Sequence, residues 1–113
     1  MKLPFAHQVV IENSKIREYL LSPTHPIGRY KAAYFAVAGY GPGEWRRLGQ
    51  DLRALAHTGD ACEGQSSQYG RKYEVCGMLK CPNGRVIEVM SIWLVRKIGS
   101  KPRLITVFPG GKI

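Results

Sequence analysis

One stretch constrains the fold more than any other. "RKYEVCGMLKC", then "PNG", then "RVIEVMSIWLVR", covers Arg71 to Arg96. Two strand-like runs flank an Asn-Gly pair. Asn83-Gly84 is the preferred centre of a two-residue type I′ turn, whose twist suits a hairpin. That turn would set the register: Cys81 opposite Val86, Leu79 opposite Glu88, Val75 opposite Ile92 and Tyr73 opposite Leu94. Side chains alternate along a strand. One face is then expected to carry Tyr73, Val75, Leu79, Val86, Ile92 and Leu94, and to meet the rest of the core. The other is expected to carry Lys72, Glu74, Cys76, Met78, Lys80, Val89, Ser91 and Trp93, and to stay partly open. Glu74 and Glu88 fall on opposite faces in this register, so they form no acid/base pair.

A committed hairpin needs something to cover its apolar face, and the first half of the chain supplies it. "IENSKIREYLLS" reads as a short helix capped by Asn13 or Ser14, with Ile16, Tyr19 and Leu20 as its stripe. "SPTHPIG" ends it, because Pro23 and Pro26 cannot continue a helix. "RYKAAYFAVA" is expected to form a second helix with a stripe through Ala33, Tyr34 and Val37. "GYGPG" stops that one. "EWRRLGQDLRALAH" follows as a third, with Trp45, Leu48, Leu52, Leu55 and Ala56 on one face. Trp45, Tyr19 and Phe35 lie on these stripes and read as core. After Gly59 the texture changes. "ACEGQSSQYG" reads as another strand or a loop, "KIGSKP" turns the chain, and "RLITVF" reads as a last strand. The expected class is α+β: N-terminal helices packed on one face of a C-terminal antiparallel sheet of about four strands. The boundaries are one domain over residues 1–113, with a helical half at about 13–58 and a sheet half at about 61–109.

Charge bears on the partner. Seventeen Lys and Arg against eight Asp and Glu give a net charge of +9. The excess is spread along the chain. It fits a polyanion partner, nucleic acid above all, or a merely soluble basic surface. The three cysteines form no Cys-x-x-Cys. Cys62, Cys76, Cys81 and His57 make a zinc set only on paper. Cys76 and Cys81 are an odd number of residues apart, so a continuous strand points them to opposite faces. No metal and no cofactor is expected. No window approaches the ~20 apolar residues of a membrane span. "MKLPFAHQ" has no apolar h-region, so a cytoplasmic protein is expected, as a monomer or small oligomer.

The loop "PTHPIGRYK" is the sharpest chemical feature. His25 changes charge near neutral pH when unperturbed. Arg29 and Lys31 sit in the first turn of a helix, where free N–H groups and the dipole already favour an anion. Cations there are unfavourable for the helix, so their placement points to another purpose, and with the dipole and free N–H groups they favour a phosphate. Trp93 offers a surface for base stacking, and Ser91, two residues away on the same strand, a hydroxyl for a phosphate oxygen. Tyr69 and Arg71, around Gly70, offer a stacking ring and a phosphate grip. Each has a structural alternative: core packing for Trp93, a local hydrogen bond for Ser91, a bend at Gly70.

These pieces together resemble a small bacterial family known only as a domain of unknown function (DUF6883-like). The matching parts are the H-P-x-G-x-x-K-A block, Y-G-x-x-Y-x-V, P-N-G-R, and the closing P-R-L-x-T-x-x-P. "LPFAHQ" departs from the commoner L-P-N-A opening. Val107 and Phe108 stand where alanine and tyrosine are more usual, which removes a phenol at position 108. More distantly, the layout is similar to the barnase, EndoU, colicin and RelE-like group of metal-independent ribonucleases, many of them toxins. That resemblance implies helices on a four-stranded sheet, and it adds Thr106 to the candidates. It also makes Glu74 an outside candidate for general base. The implied activity is metal-independent endoribonucleolytic cleavage by transphosphorylation through the 2′-hydroxyl. Expected catalytic residues are His25, Lys31, Ser91 and Thr106; expected substrate contacts are Arg29, Tyr69, Arg71 and Trp93. The implied partners are RNA (transfer or messenger) and a cognate antitoxin or immunity protein. The alternative is a non-catalytic module that binds RNA or a partner protein.

Overall fold

The computed structural model describes residues 1–109; residues 110–113 of the expected domain lie outside the described residues. A short 3-10 turn, Ala6–Gln8, precedes the first helix. Helix α1, Asn13–Lys15, runs straight into a wider π turn, Ile16–Leu20. Helix α2 spans Gly28–Val37 and α3 spans Trp45–Thr58. The strands are β1 Asp60–Ser67, β2 Gly70–Lys80, β3 Val86–Val95 and β4 Arg103–Pro109. They form one antiparallel sheet in the order β1-β2-β3-β4. The class is α+β, and the stretch left open between strand and loop is β1.

The hairpin exists, but its turn differs from the expected one. Lys80 pairs with Val86, Val75 with Ser91 and Tyr73 with Trp93. The register is one residue off the Asn-Gly reading. Pro82 explains why. Gly84 N–H donates to the Cys81 carbonyl (2.9 Å), and Gly84 has φ 87°. This is a type I turn with Pro82 at its second position, followed by a left-handed glycine: the three-residue hairpin loop. A one-residue slip moves every β3 side chain to the other face. Trp93, Ser91 and Val89 are fully buried with Tyr73, Val75 and Leu79. Glu74 and Glu88 now share the open face with Lys72, Cys76, Met78 and Lys80.

Helix α3 covers the sheet as its pattern requires: Leu48, Leu52, Leu55 and Ala56 are buried. Helix α2 turns a different face inward. Its buried residues are Gly28, Ala32 and Phe35, whereas Ala33, Tyr34 and Val37 are exposed. Apolar residues lie all round this helix, so the pattern left its phase undecided. Gly28 decides it. A Cβ there would lie 2.0 Å from the Tyr19 carbonyl oxygen, so only glycine lets α2 start hard against the π turn. At the other end, Asn83 of the hairpin loop donates its side-chain N–H to the Val37 carbonyl (2.8 Å). The loop therefore turns the hairpin and caps α2.

Strand β4 contains a bulge. Ile92 pairs with Thr106, but the next residue, Trp93, pairs with Leu104. The extra residue puts both Leu104 and Val107 on the buried face, three apart. Thr106 and Phe108 are left on the other one.

Candidate functional site

Four side chains, from the π turn, the loop after it, α2 and β4, meet beside the β4 edge. Lys31, on the first turns of α2, donates from Nζ to Thr106 Oγ1 (2.6 Å) and to the Tyr19 hydroxyl (3.1 Å). The two hydroxyls lie 3.3 Å apart. The His25 ring meets Tyr19 edge to face, with centroids 5.0 Å apart. Lys31 also lies 4.4 Å from the Phe108 ring centroid, where the family resemblance puts a tyrosine more often.

The local fold explains the gathering. The π turn carries Tyr19 under the start of α2, and Gly28 removes the side chain that would hold them apart. The β4 bulge turns Thr106 toward α2. His25 caps the helix: the backbone N–H groups of Ile27 (3.1 Å) and Gly28 (2.9 Å) both donate to its Nδ1. With Nδ1 accepting, the neutral ring carries its proton on Nε2 and presents a donor outward. His25 thus occupies the helix N-terminal N–H groups that the sequence offered to a phosphate.

The electrostatics are unusual for a half-buried lysine. Its partners are neutral oxygens and aromatic faces, and it makes no ion pair among the described residues. Its charge is left for an anion to neutralise. The Tyr19 phenol feels this field. Burial pushes its pKa up. The hydrogen bonds with Thr106 and Lys31 and the charges of Lys31 and Lys15 outweigh burial, and the net value lies below 10.0. Glu74 lies farther along the same face: Thr106, Ile92 and Glu74 form one cross-strand row. Two strand spacings put it about 10 Å from Thr106.

The other expected residues lie elsewhere. Arg29 is exposed and stacks on Tyr30, 4.9 Å from its centroid. Two residues on a helix point to nearly opposite sides, so Arg29 and Lys31 diverge. Tyr69 and Arg71 sit at the β1–β2 turn, and Arg71 pairs with Glu63 (2.9 Å). Ser91 and Trp93 require a correction: they face the core, fully buried, not the open surface. Trp93 Nε1 donates to Ser91 Oγ (2.8 Å), which donates to the Val75 carbonyl (3.0 Å). Core packing for Trp93 and a local hydrogen bond for Ser91, the structural alternatives, describe them. Conversely, Tyr19, which the stripe assigns to the core, packs its ring there only in part and brings its hydroxyl into the cluster. Its helical spacing with Ile16 and Leu20 hid it; the signal against that reading was Lys15, four residues earlier, which lies 5.4 Å from its ring centroid. Among the described residues, no group of three or more His, Cys, Asp or Glu is placed to hold a metal ion. No helix there is long and apolar enough to cross a membrane.

The family model for a domain of unknown function (DUF6883) matches residues 2–111. The chain belongs to this family. No curated protein matches the sequence. Among solved structures, a contact-dependent growth inhibition toxin–immunity protein complex from Klebsiella pneumoniae 342 contains a chain of similar fold. The TM-score is 0.71 at 17% identity, over 88% of this chain and 98% of that one. At that identity the likeness is one of fold.

Proposed function

We propose that this family member is a metal-independent endoribonuclease and the toxic domain of a toxin–immunity pair, acting on RNA in the cytoplasm of its target cell. One observation carries the reading: a half-buried lysine held by two hydroxyls and, among the described residues, no carboxylate, in a chain of net charge +9. Such an ammonium stabilises charge developing on phosphorane oxygens, where preorganised donors act most strongly. The fold shared with a chain of a toxin–immunity complex supports the toxin half of the proposal. The charge favours the toxin over its partner, since a protein that masks a cationic site needs an anionic surface.

The proposed steps balance. The ribose 2′-oxygen attacks phosphorus; the P–O2′ bond forms as the P–O5′ bond breaks. The Glu74 carboxylate takes the 2′-hydroxyl proton. The Tyr19 phenol gives its proton to the leaving 5′-oxygen, and Lys31 and Thr106 stabilise the phenolate left behind. The interactions that lower the Tyr19 pKa are those an acid requires. His25 Nε2–H donates to a non-bridging oxygen. In-line displacement puts base and acid on opposite sides of phosphorus, and Glu74 stands two strands, about 10 Å, from Thr106, the hydroxyl that Tyr19 meets.

The test is to incubate the protein with bacterial RNA in EDTA beside its Lys31→Met, Tyr19→Phe and Thr106→Val variants. Discrete cuts ending in 2′,3′-cyclic phosphate, lost in the Lys31 and Tyr19 variants, are expected. Salt-sensitive binding without cleavage at any pH would refute the enzyme and leave a binding module.

A further inference from the structure

A cavity of about 410 Å³ lies at the end of the sheet away from the hairpin loop. There the helices no longer cover the buried face of β2 and β3. Pro4, Phe5, Val95 and Ile98 wall it with apolar surface, and Arg96 and Lys97 stand at its rim. Two of the wall residues are conspicuous. Ile98 is fully exposed, and Phe5 is 46% exposed. Phe5 is also the single non-glycine residue with positive φ (52°) among the described residues. A bulky residue in that region is strained. The strain holds an aromatic ring beside an open cavity. Arg96 and Lys97 make no ion pair among the described residues, whereas the third lining cation, Arg71, is neutralised by Glu63.

We propose that this cavity is a nucleotide-binding pocket, separate from the Lys31 cluster, that takes one base together with its phosphate. Its volume falls at the small end of ligand pockets, which fits a mononucleotide unit and not a larger ligand. A base face packs against Phe5 and Ile98. A phosphate meets Arg96 and Lys97, and charge-assisted contacts of this kind are the strong ones. The two sites lie on opposite faces of the sheet; Val95 stands roughly 10 Å along β3 from Ile92, the neighbour of Thr106. An RNA held at both would have to pass around the sheet end, so the pocket selects for a strand longer than the cleavage site alone would hold. Binding here does not depend on the cleavage proposal.

Amide NMR shifts of the full chain test it, titrated separately with nucleoside 5′-monophosphates, the bare nucleosides, inorganic phosphate, a DNA pentanucleotide and a Glu-rich peptide containing leucine. Nucleotides are expected to shift Phe5, Gly70 and residues 95–99, more strongly than nucleoside or phosphate alone. The pentanucleotide should shift the same amides at lower concentration if the nucleotide comes from a strand; a free nucleotide as the true ligand would show no such gain, and either pattern supports the pocket. The Arg96→Ala/Lys97→Ala variant should bind at least tenfold more weakly, and Lys31→Met should leave these shifts intact. Equal shifts with inorganic phosphate, stronger shifts with the peptide, or no shift at these amides at millimolar nucleotide would each overturn the proposal.

Discussion

Replacing Ser91 by alanine separates two uses of the same residue. In the structure Ser91 Oγ accepts from the buried Trp93 indole and donates to Val75. No buried side-chain polar atom among the described residues lacks a partner, so nothing nearby stands ready to replace it. The variant leaves the indole N–H buried and unpaired, at about 1–3 kcal/mol, and removes a second bond of about 1 kcal/mol. The sum is about 2–4 kcal/mol, a large share of a small domain's stability. Trp93→Phe removes the N–H and opens a modest void, at about 1–2 kcal/mol. In the double variant the orphaned N–H no longer exists. It should therefore be less destabilised than the two singles added, by about 1–3 kcal/mol. Urea denaturation of the four proteins measures this directly. RNA cleavage per folded molecule should stay near the wild-type level in Ser91→Ala. Additivity within about 0.5 kcal/mol would refute the buried pairing. So would a variant of wild-type stability that no longer cuts RNA.

The Tyr19 phenol, followed by ultraviolet absorbance, should titrate below the unfolded value of 10.0. Lys31→Met should move that titration upward and slow cleavage by about 10²–10³. Because the native group loses its proton first, its contribution to stability grows as pH rises through the native value and is complete above 10.0; it is lost as pH falls through the native value. Tyr40 behaves oppositely. Burial and then its hydrogen bond to Asp51 raise its pKa, so its contribution is full below pH 10 and declines as pH rises beyond. Tyr40→Phe should cost about 1 kcal/mol at neutral pH and flatten the alkaline fall seen by urea denaturation. Gly28→Ala should be destabilised by about 2–4 kcal/mol, because the backbone of the π turn stands where the new methyl must go. The same variant should return the Tyr19 titration toward 10.0.

Much of the fold was legible because local chemistry and burial agree. The α3 stripe, the turn-bounded strands and the break at Gly59 each follow from spacing and turn residues. Three local ambiguities hid the rest. Asn83-Gly84 favours one turn, but Pro82 before it favours another, and the choice moved Ser91 and Trp93 from the open face to the core. Helix α2 is apolar all round, so only the close approach at Gly28 fixes its inward face. The extra residue in β4 shifts its alternation, which no period of two anticipates.

The candidate site was half legible for a related reason. Lys31 and His25 stand out as polar residues in an apolar setting. Tyr19 does not, because its ring satisfies a helical stripe while its hydroxyl meets Lys31 and Thr106. The sequence offers His25 as the proton-transfer group, yet its Nδ1 accepts from two helix N–H groups. That capping bond and the π turn are the parts that bring Tyr19 against α2. The sequence motif around His25 therefore marks the place of the proposed chemistry, while the proton transfer we assign falls to a tyrosine outside the loop. A His25→Asn variant tests this division: an amide oxygen retains a capping acceptor and an outward donor. It should keep the fold and much of the cleavage, without the loss expected of Tyr19→Phe. Inactivity of a folded His25→Asn variant, with the Tyr19 titration unmoved, would return the central role to the histidine.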